Sequence, residues 1–116
     1  MFDTVEAILV EGKSKFKSED NIVLNFYHSH ENNAGDRAAY DKATRFCIVG
    51  ALPAVNFLDA MASRTWDQAT KCLLKVSQDP KYNGKAFLSG GYSLAEIHAI
   101  YDKAIELAKA ENVNIR

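Results

Sequence analysis

Tyr92-Ser93-Leu94-Ala95-Glu96-Ile97-His98-Ala99-Ile100-Tyr101-Asp102-Lys103-Ala104-Ile105 is the stretch that decides the fold class. Ser93 through Glu96 spells a capping box, in which the Ser93 side chain accepts the N3 amide and Glu96 reaches back to the cap amide. Tyr92 and Ile97 stand at the flanking positions of a hydrophobic staple. Leu94, Ile97, Ile100, Tyr101, Ala104, Ile105 and Ala108 then recur at helical spacing. A helix running to about Glu111 with one apolar stripe follows, and such a stripe needs other elements to cover it.

Upstream, Thr65 is the expected cap of another helix, with Trp66, Ala69, Leu73 and Val76 on one face and Cys72 beside them. Pro80 and Tyr82-Asn83-Gly84 end it, and Phe87 and Leu88 in the following loop are expected to tuck into the core. Before it, Asp41 caps an expected helix carrying Ala43, Phe46, Cys47, Gly50 and Ala51. Pro53 imposes a kink, and Ala54, Phe57, Leu58 and Met61 continue the pattern to about Ser63. A glycine inside a helix costs about 1 kcal/mol relative to alanine. Gly50 therefore implies close approach of a second helix, with Cys47 as a small hydrophobe in the same contact.

At the N-terminal end, Asp3 or Thr4 caps a helix with Phe2, Val5, Ile8 and Leu9 on one side. Gly12 weakens or ends it, and Phe16 extends the face. Ile22 through Tyr27 is too short for periodicity to separate helix from strand. Helix is preferred, because a lone strand lacks a pairing partner, with a short extended segment over 22–27 as the alternative. His28 to Arg37 reads as a polar loop. The whole chain, 1–116, reads as a mainly α, compact single domain of four or five helices.

A chain of 116 residues buries roughly two-thirds of its unfolded surface, enough to fold without a metal or a disulfide. Fourteen basic and 15 acidic side chains leave a net charge of −1. Nucleic-acid binding, which draws on a basic excess, is disfavoured. Lys13, Lys15 and Lys17 fan around one side of a helix and read as a solvated end. No apolar run reaches the length of about 18 residues that would span a bilayer. Cys47 and Cys72 sit in apolar patterns, and Met1-Phe2-Asp3-Thr4 does not open like a secretion signal. A cytoplasmic protein with reduced thiols and no cofactor is the expectation.

Chemistry-bearing residues are few. Cys47 as a nucleophile needs a histidine in reach, with His28, His30 and His98 as the candidates. His28 and His30 point to one side if extended, as a metal site requires, although zinc needs two further ligands. His98 falls beside the apolar stripe of the last helix, where a boundary residue is the plainer reading. Asp41 and Arg45 stand four apart and make an ordinary helical ion pair. Asn83-Gly84-Lys85 and Ser89-Gly90-Gly91 lack the spacing of a phosphate loop.

Residues from about Arg37 to Ala108 resemble an uncharacterised family of small helical proteins of bacteria and their phages. The resemblance rests on Phe46-Cys47-Ile48-Val49-Gly50-Ala51-Leu52, the family's aromatic-Cys-x-x-Gly-Ala-Leu helix. It rests also on the Ser93–Glu96 cap followed by Asp102-Lys103-Ala104-Ile105. The chain departs from the family in carrying Phe46 for tryptophan, and Leu88-Ser89-Gly90-Gly91 where an Asn-Asp pair precedes the last helix. The resemblance implies a helical fold and no particular activity. By analogy with short phage proteins, it points to a non-enzymatic binding or regulatory protein, such as an inhibitor of a host enzyme or defence complex. A protein partner is expected at a face carrying Tyr27, His28, His30, Tyr40 and Tyr82, and a symmetric homodimer is permitted. A Cys47/His-dependent hydrolase or transferase, and a metal-binding domain through His28 and His30, are the alternatives.

Overall fold

Thr4 opens the first helix by accepting the Ala7 N–H at 3.1 Å, so the cap falls on Thr4. The computed structural model describes residues 4–22, 46–53, 60–82 and 91–111. Among them are the helices α1 (Val5–Ser14), α2 (Ala60–Ser77) and α3 (Leu94–Glu111), with 3-10 turns at Glu19–Asn21 and Pro80–Tyr82. The protein is mainly helical. Its radius of gyration, 13.2 Å, is close to the roughly 13 Å of a compact chain this long.

The last helix begins as its sequence dictates. Glu96 N–H donates to Ser93 Oγ at 3.1 Å, and Ser93 N–H donates to Glu96 Oε1 at 2.9 Å. Glu19, from the distant 3-10 turn, adds a second carboxylate by accepting the Leu94 N–H at 2.6 Å. Orphan amides at a helix start favour negative charge, so this contact both caps α3 and fixes the turn to it. The stripe Ile97, Ile100, Tyr101, Ala104 and Ala108 is fully buried. Gly91 enters α3 at φ 68°, a conformation glycine adopts without strain.

Helix α3 packs against both α1 and α2, which also touch each other. Ion pairs join Lys13, late in α1, to Asp102 at the middle of α3, and Glu6, early in α1, to Lys109 late in α3, so α1 and α3 run antiparallel. Gly12 does not end α1. It sits buried at the crossing, where an added Cβ would lie 2.8 Å from Tyr101 Oη, 2.9 Å from its Cε1 and 3.0 Å from Leu52 Cδ2. Gly12 is thus a point of close helix approach.

The stretch Phe46–Leu52, read as a helix, is not one. Phe46 N–H donates to Asn21 O at 2.7 Å, in a parallel bridge between Ile22 and Phe46. Residues 48–51 then turn, with Leu52 N–H bonded to Val49 O at 3.0 Å, and Pro53 follows. Every residue from Phe46 to Pro53 is buried. The run is apolar because it is enclosed on all sides, and continuous burial leaves no helical period to distinguish. Ile22 likewise is extended, at φ −101° and ψ 130°, because Phe46 supplies the partner a lone strand would lack. Residues 23–27 lie outside those described.

Thr65 does not start a helix either. It lies inside α2, 7% exposed, on the buried line continued by Ala69, Leu73 and Val76. The two helices expected on either side of it are one from Ala60 onward.

We predict that Gly12→Ala destabilises despite a helix-propensity gain of about 1 kcal/mol, because overpacking costs about 1–3 kcal/mol. The Tyr101 hydroxyl donates to Ile48 O at 2.5 Å, and Tyr101→Phe, which removes that donor, should cost about 1–3 kcal/mol. Urea denaturation of both single variants and the double variant should show non-additivity. The double should lose less than the two singles combined, because removing Oη relieves the closest contact with the added methyl.

Candidate functional site

Where α2 ends, its last turn, the 3-10 turn after it and the middle of α3 enclose an open groove of about 560 Å³. Val76, Pro80 and Leu107 give it an apolar floor, and Lys75, Lys81 and Lys103 stand around it. The termination of α2 creates this shape. Pro80 cannot continue a helix, and Asp79 turns the chain by accepting the Lys81 N–H on its carboxylate at 3.0 Å. The Lys81 ammonium then lies 5.3 Å from the centre of the Tyr82 ring, within cation–π range.

The electrostatics of the rim differ from those of the α1 face. On that face Lys13 meets Asp102 at 2.6 Å and Lys15 meets Glu11 at 3.3 Å. At the groove, Lys103 reaches Glu106 only at 4.0 Å, an exposed pair of little energy. Among the described residues, Lys75 and Lys81 have no carboxylate within ion-pair distance. Among the described residues, Asp79 is the one acid lining the groove.

Cys47 is 3% exposed, and its Sγ accepts the Gly50 N–H at 3.3 Å. Burial pushes its thiol pKa up, while backbone amides of Gly50, Val49 and Cys47 itself act more weakly the other way. A thiol held protonated is a poor nucleophile. His98 is half-buried, and its Nε2 lies 2.6 Å from Phe16 O. A carbonyl only accepts, so Nε2 carries the proton and fastens the end of α1 to α3. Among the described residues no hydrogen bond joins Cys47 to His98.

Tyr82, expected on an exposed recognition face, is 3% exposed and packs edge-on against Tyr92 at 6.0 Å. Its neighbourhood of Pro80 and Asn83-Gly84 looks like a surface turn, yet the ring closes over the end of the core. Tyr27, His28, His30 and Tyr40 lie outside the described residues, so the two histidines enter no geometry here. Among the described residues no group of three or more His, Cys, Asp or Glu side chains is placed to hold a metal ion. No described helix is long and apolar enough to cross a membrane.

The groove lysines escaped the sequence reading because no local pattern marks them. Lys75 and Lys81 look like ordinary helix-end and turn residues, and only the packing of α3 on α2 brings Lys103 beside them. Comparison of the chain with known protein families, curated proteins and solved structures finds no match.

Iodoacetamide labelling of the folded protein should modify the half-buried Cys72 first, leaving Cys47 protected until the protein unfolds. Equal rates at the two thiols would contradict this. The raised Cys47 pKa also sets a pH dependence. Its stabilising protonated state is fully present below the ordinary thiol value of 9.0 and is lost as pH rises beyond it, since the unfolded thiol ionises first. Urea midpoints followed from neutral to alkaline pH should fall less steeply in Cys47→Ala than in the parent.

Proposed function

We propose that the protein acts by binding a protein partner across its outer face, as a small regulatory module and not as a catalyst. The observation that carries this reading is the groove at the end of α2. It is open, apolar at its floor and rimmed by lysines, and it stands on helix ends braced by the core. Such a combination of apolar floor and polar rim is the anatomy of a recognition surface.

The internal use of the reactive side chains supports the same reading. Cys47 organises a buried turn and His98 fastens α1 to α3. A standard interface buries about 800 Å² on each partner, more than this groove supplies. The proposed contact therefore extends beyond it, and Tyr27, His28, His30 and Tyr40 keep the anchor role proposed from sequence. In its narrower form, motivated by the phage-protein resemblance, the partner is a host enzyme or defence complex.

Immobilised full-length protein should retain one partner from a lysate of the source cell, saturably and near stoichiometrically, and release it to free protein. Failure to retain any such partner would sink the reading. Turnover of ester or thioester substrates that disappears in Cys47→Ala would replace it with the hydrolase alternative.

A further inference from the structure

We infer that the groove between the end of α2 and α3 is a docking site for an acidic, amphipathic protein segment, one that places carboxylates on either side of aliphatic side chains. This rests on the partner-binding reading and names the chemistry of the partner.

Three observations select that occupant. Lys75, Lys81 and Lys103 converge from three separate elements on one groove, and among its described lining residues Asp79 is the one acid. Lys75 and Lys81 lack carboxylate partners among the described residues, whereas Lys13 and Lys15 have them. Lys75 and Lys81 thus offer ammonium groups that an outside carboxylate can pair, and Lys103 adds a third whose pair with Glu106 is exposed and 4.0 Å long. Between them the lining is apolar at Val76, Pro80 and Leu107, with Gln78 as the one uncharged polar side chain among the described lining residues. A ligand satisfying only the lysines leaves the apolar lining wet, and one covering only the apolar lining leaves Lys75 and Lys81 without a carboxylate partner. Lysine stems lie along apolar surface while their heads stay in water, so one segment can engage both parts at once.

The same features weigh against other anions. Nucleic acid draws affinity from a large basic excess and from stacking on aromatic faces. This chain has a net charge of −1 and aliphatic residues on the groove floor. A free small anion gains little from solvent-exposed lysines, where water and salt screen the attraction.

The test uses the full chain and a short synthetic helical peptide that alternates glutamate pairs with leucines, followed by fluorescence anisotropy. Binding should weaken as salt rises, and should fall by roughly tenfold or more with glutamine in place of glutamate, or serine in place of leucine. The protein variant Lys75→Glu/Lys81→Glu should lose binding by a similar factor, and adding Lys103→Glu should abolish it. Lys71→Glu, on the exposed part of α2 away from the groove, should leave it unchanged. All these substitutions are at exposed positions, and circular dichroism checks that each variant folds. Absence of peptide binding, or equal binding by Lys75→Glu/Lys81→Glu, overturns the assignment. So does equally tight, groove-dependent binding of a single-stranded oligonucleotide or of anionic lipid vesicles. The partner-binding reading fails separately: a captured cellular partner that survives reversal of the groove lysines preserves that reading and removes only the groove assignment.

Discussion

The hydroxyl of Tyr101 is the point on which the packing converges. It donates to the Ile48 carbonyl at 2.5 Å, from a side chain buried among α1, the 46–53 turn and α3 itself. A phenol buried in an apolar core is costly unless its O–H finds a partner there. Ile48 provides one because residues 48–51 form a turn, whose carbonyls are not all used internally. Gly12 meets the remaining requirement by leaving room for the ring and oxygen where α1 crosses. Phe16, 5.9 Å from Tyr101 and 6.4 Å from Phe46 between ring centres, carries the aromatic contact outward from the same place.

From that point α3 acts as a spine for segments that have no regular structure of their own. Leu94, His98 and Tyr101 are spaced along one side of the helix. They bond respectively to Glu19, the Phe16 carbonyl and the Ile48 carbonyl. Each contact joins residues distant in sequence, and each uses a polar group that would otherwise cost free energy on burial or at a helix end. The 3-10 turn adds to this arrangement, since Asn21 Oδ1 accepts the Lys17 and Ser18 amides while Asn21 O accepts Phe46 N–H. The order of the non-helical parts comes from these bonds as much as from apolar contact.

What was legible from sequence divides along the same line. The capping box of α3, its buried stripe, the Thr4 cap and the apolar face of α1 are local features, written in spacings of three and four residues. Phe46–Leu52 was misread because its apolar character comes from enclosure, and only the distant Asn21 decides that Phe46 is extended. Thr65 was misread because a threonine on a buried helical line looks, in isolation, like a cap. Gly12 shows the limit most sharply. From sequence it reads as a weak point or end of the helix, and only the position of Tyr101 shows that it is there for close approach.

The groove shows why such surfaces are hardest to read from a chain. Lys75 alone is a basic residue in the last turn of α2, favourable to the negative end of the helix dipole and needing no further explanation. Lys81 alone is a turn residue beside a tyrosine, and Lys103 alone is one exposed position on α3. Their convergence follows from two events with different causes: Pro80 stops α2, and the stripe led by Tyr101 sets α3 against it. The core thus fixes the geometry of a surface whose side chains contribute little to the core. Substitutions at the exposed lysines can change what the groove attracts while the buried packing of α3 on α2 continues to hold its shape.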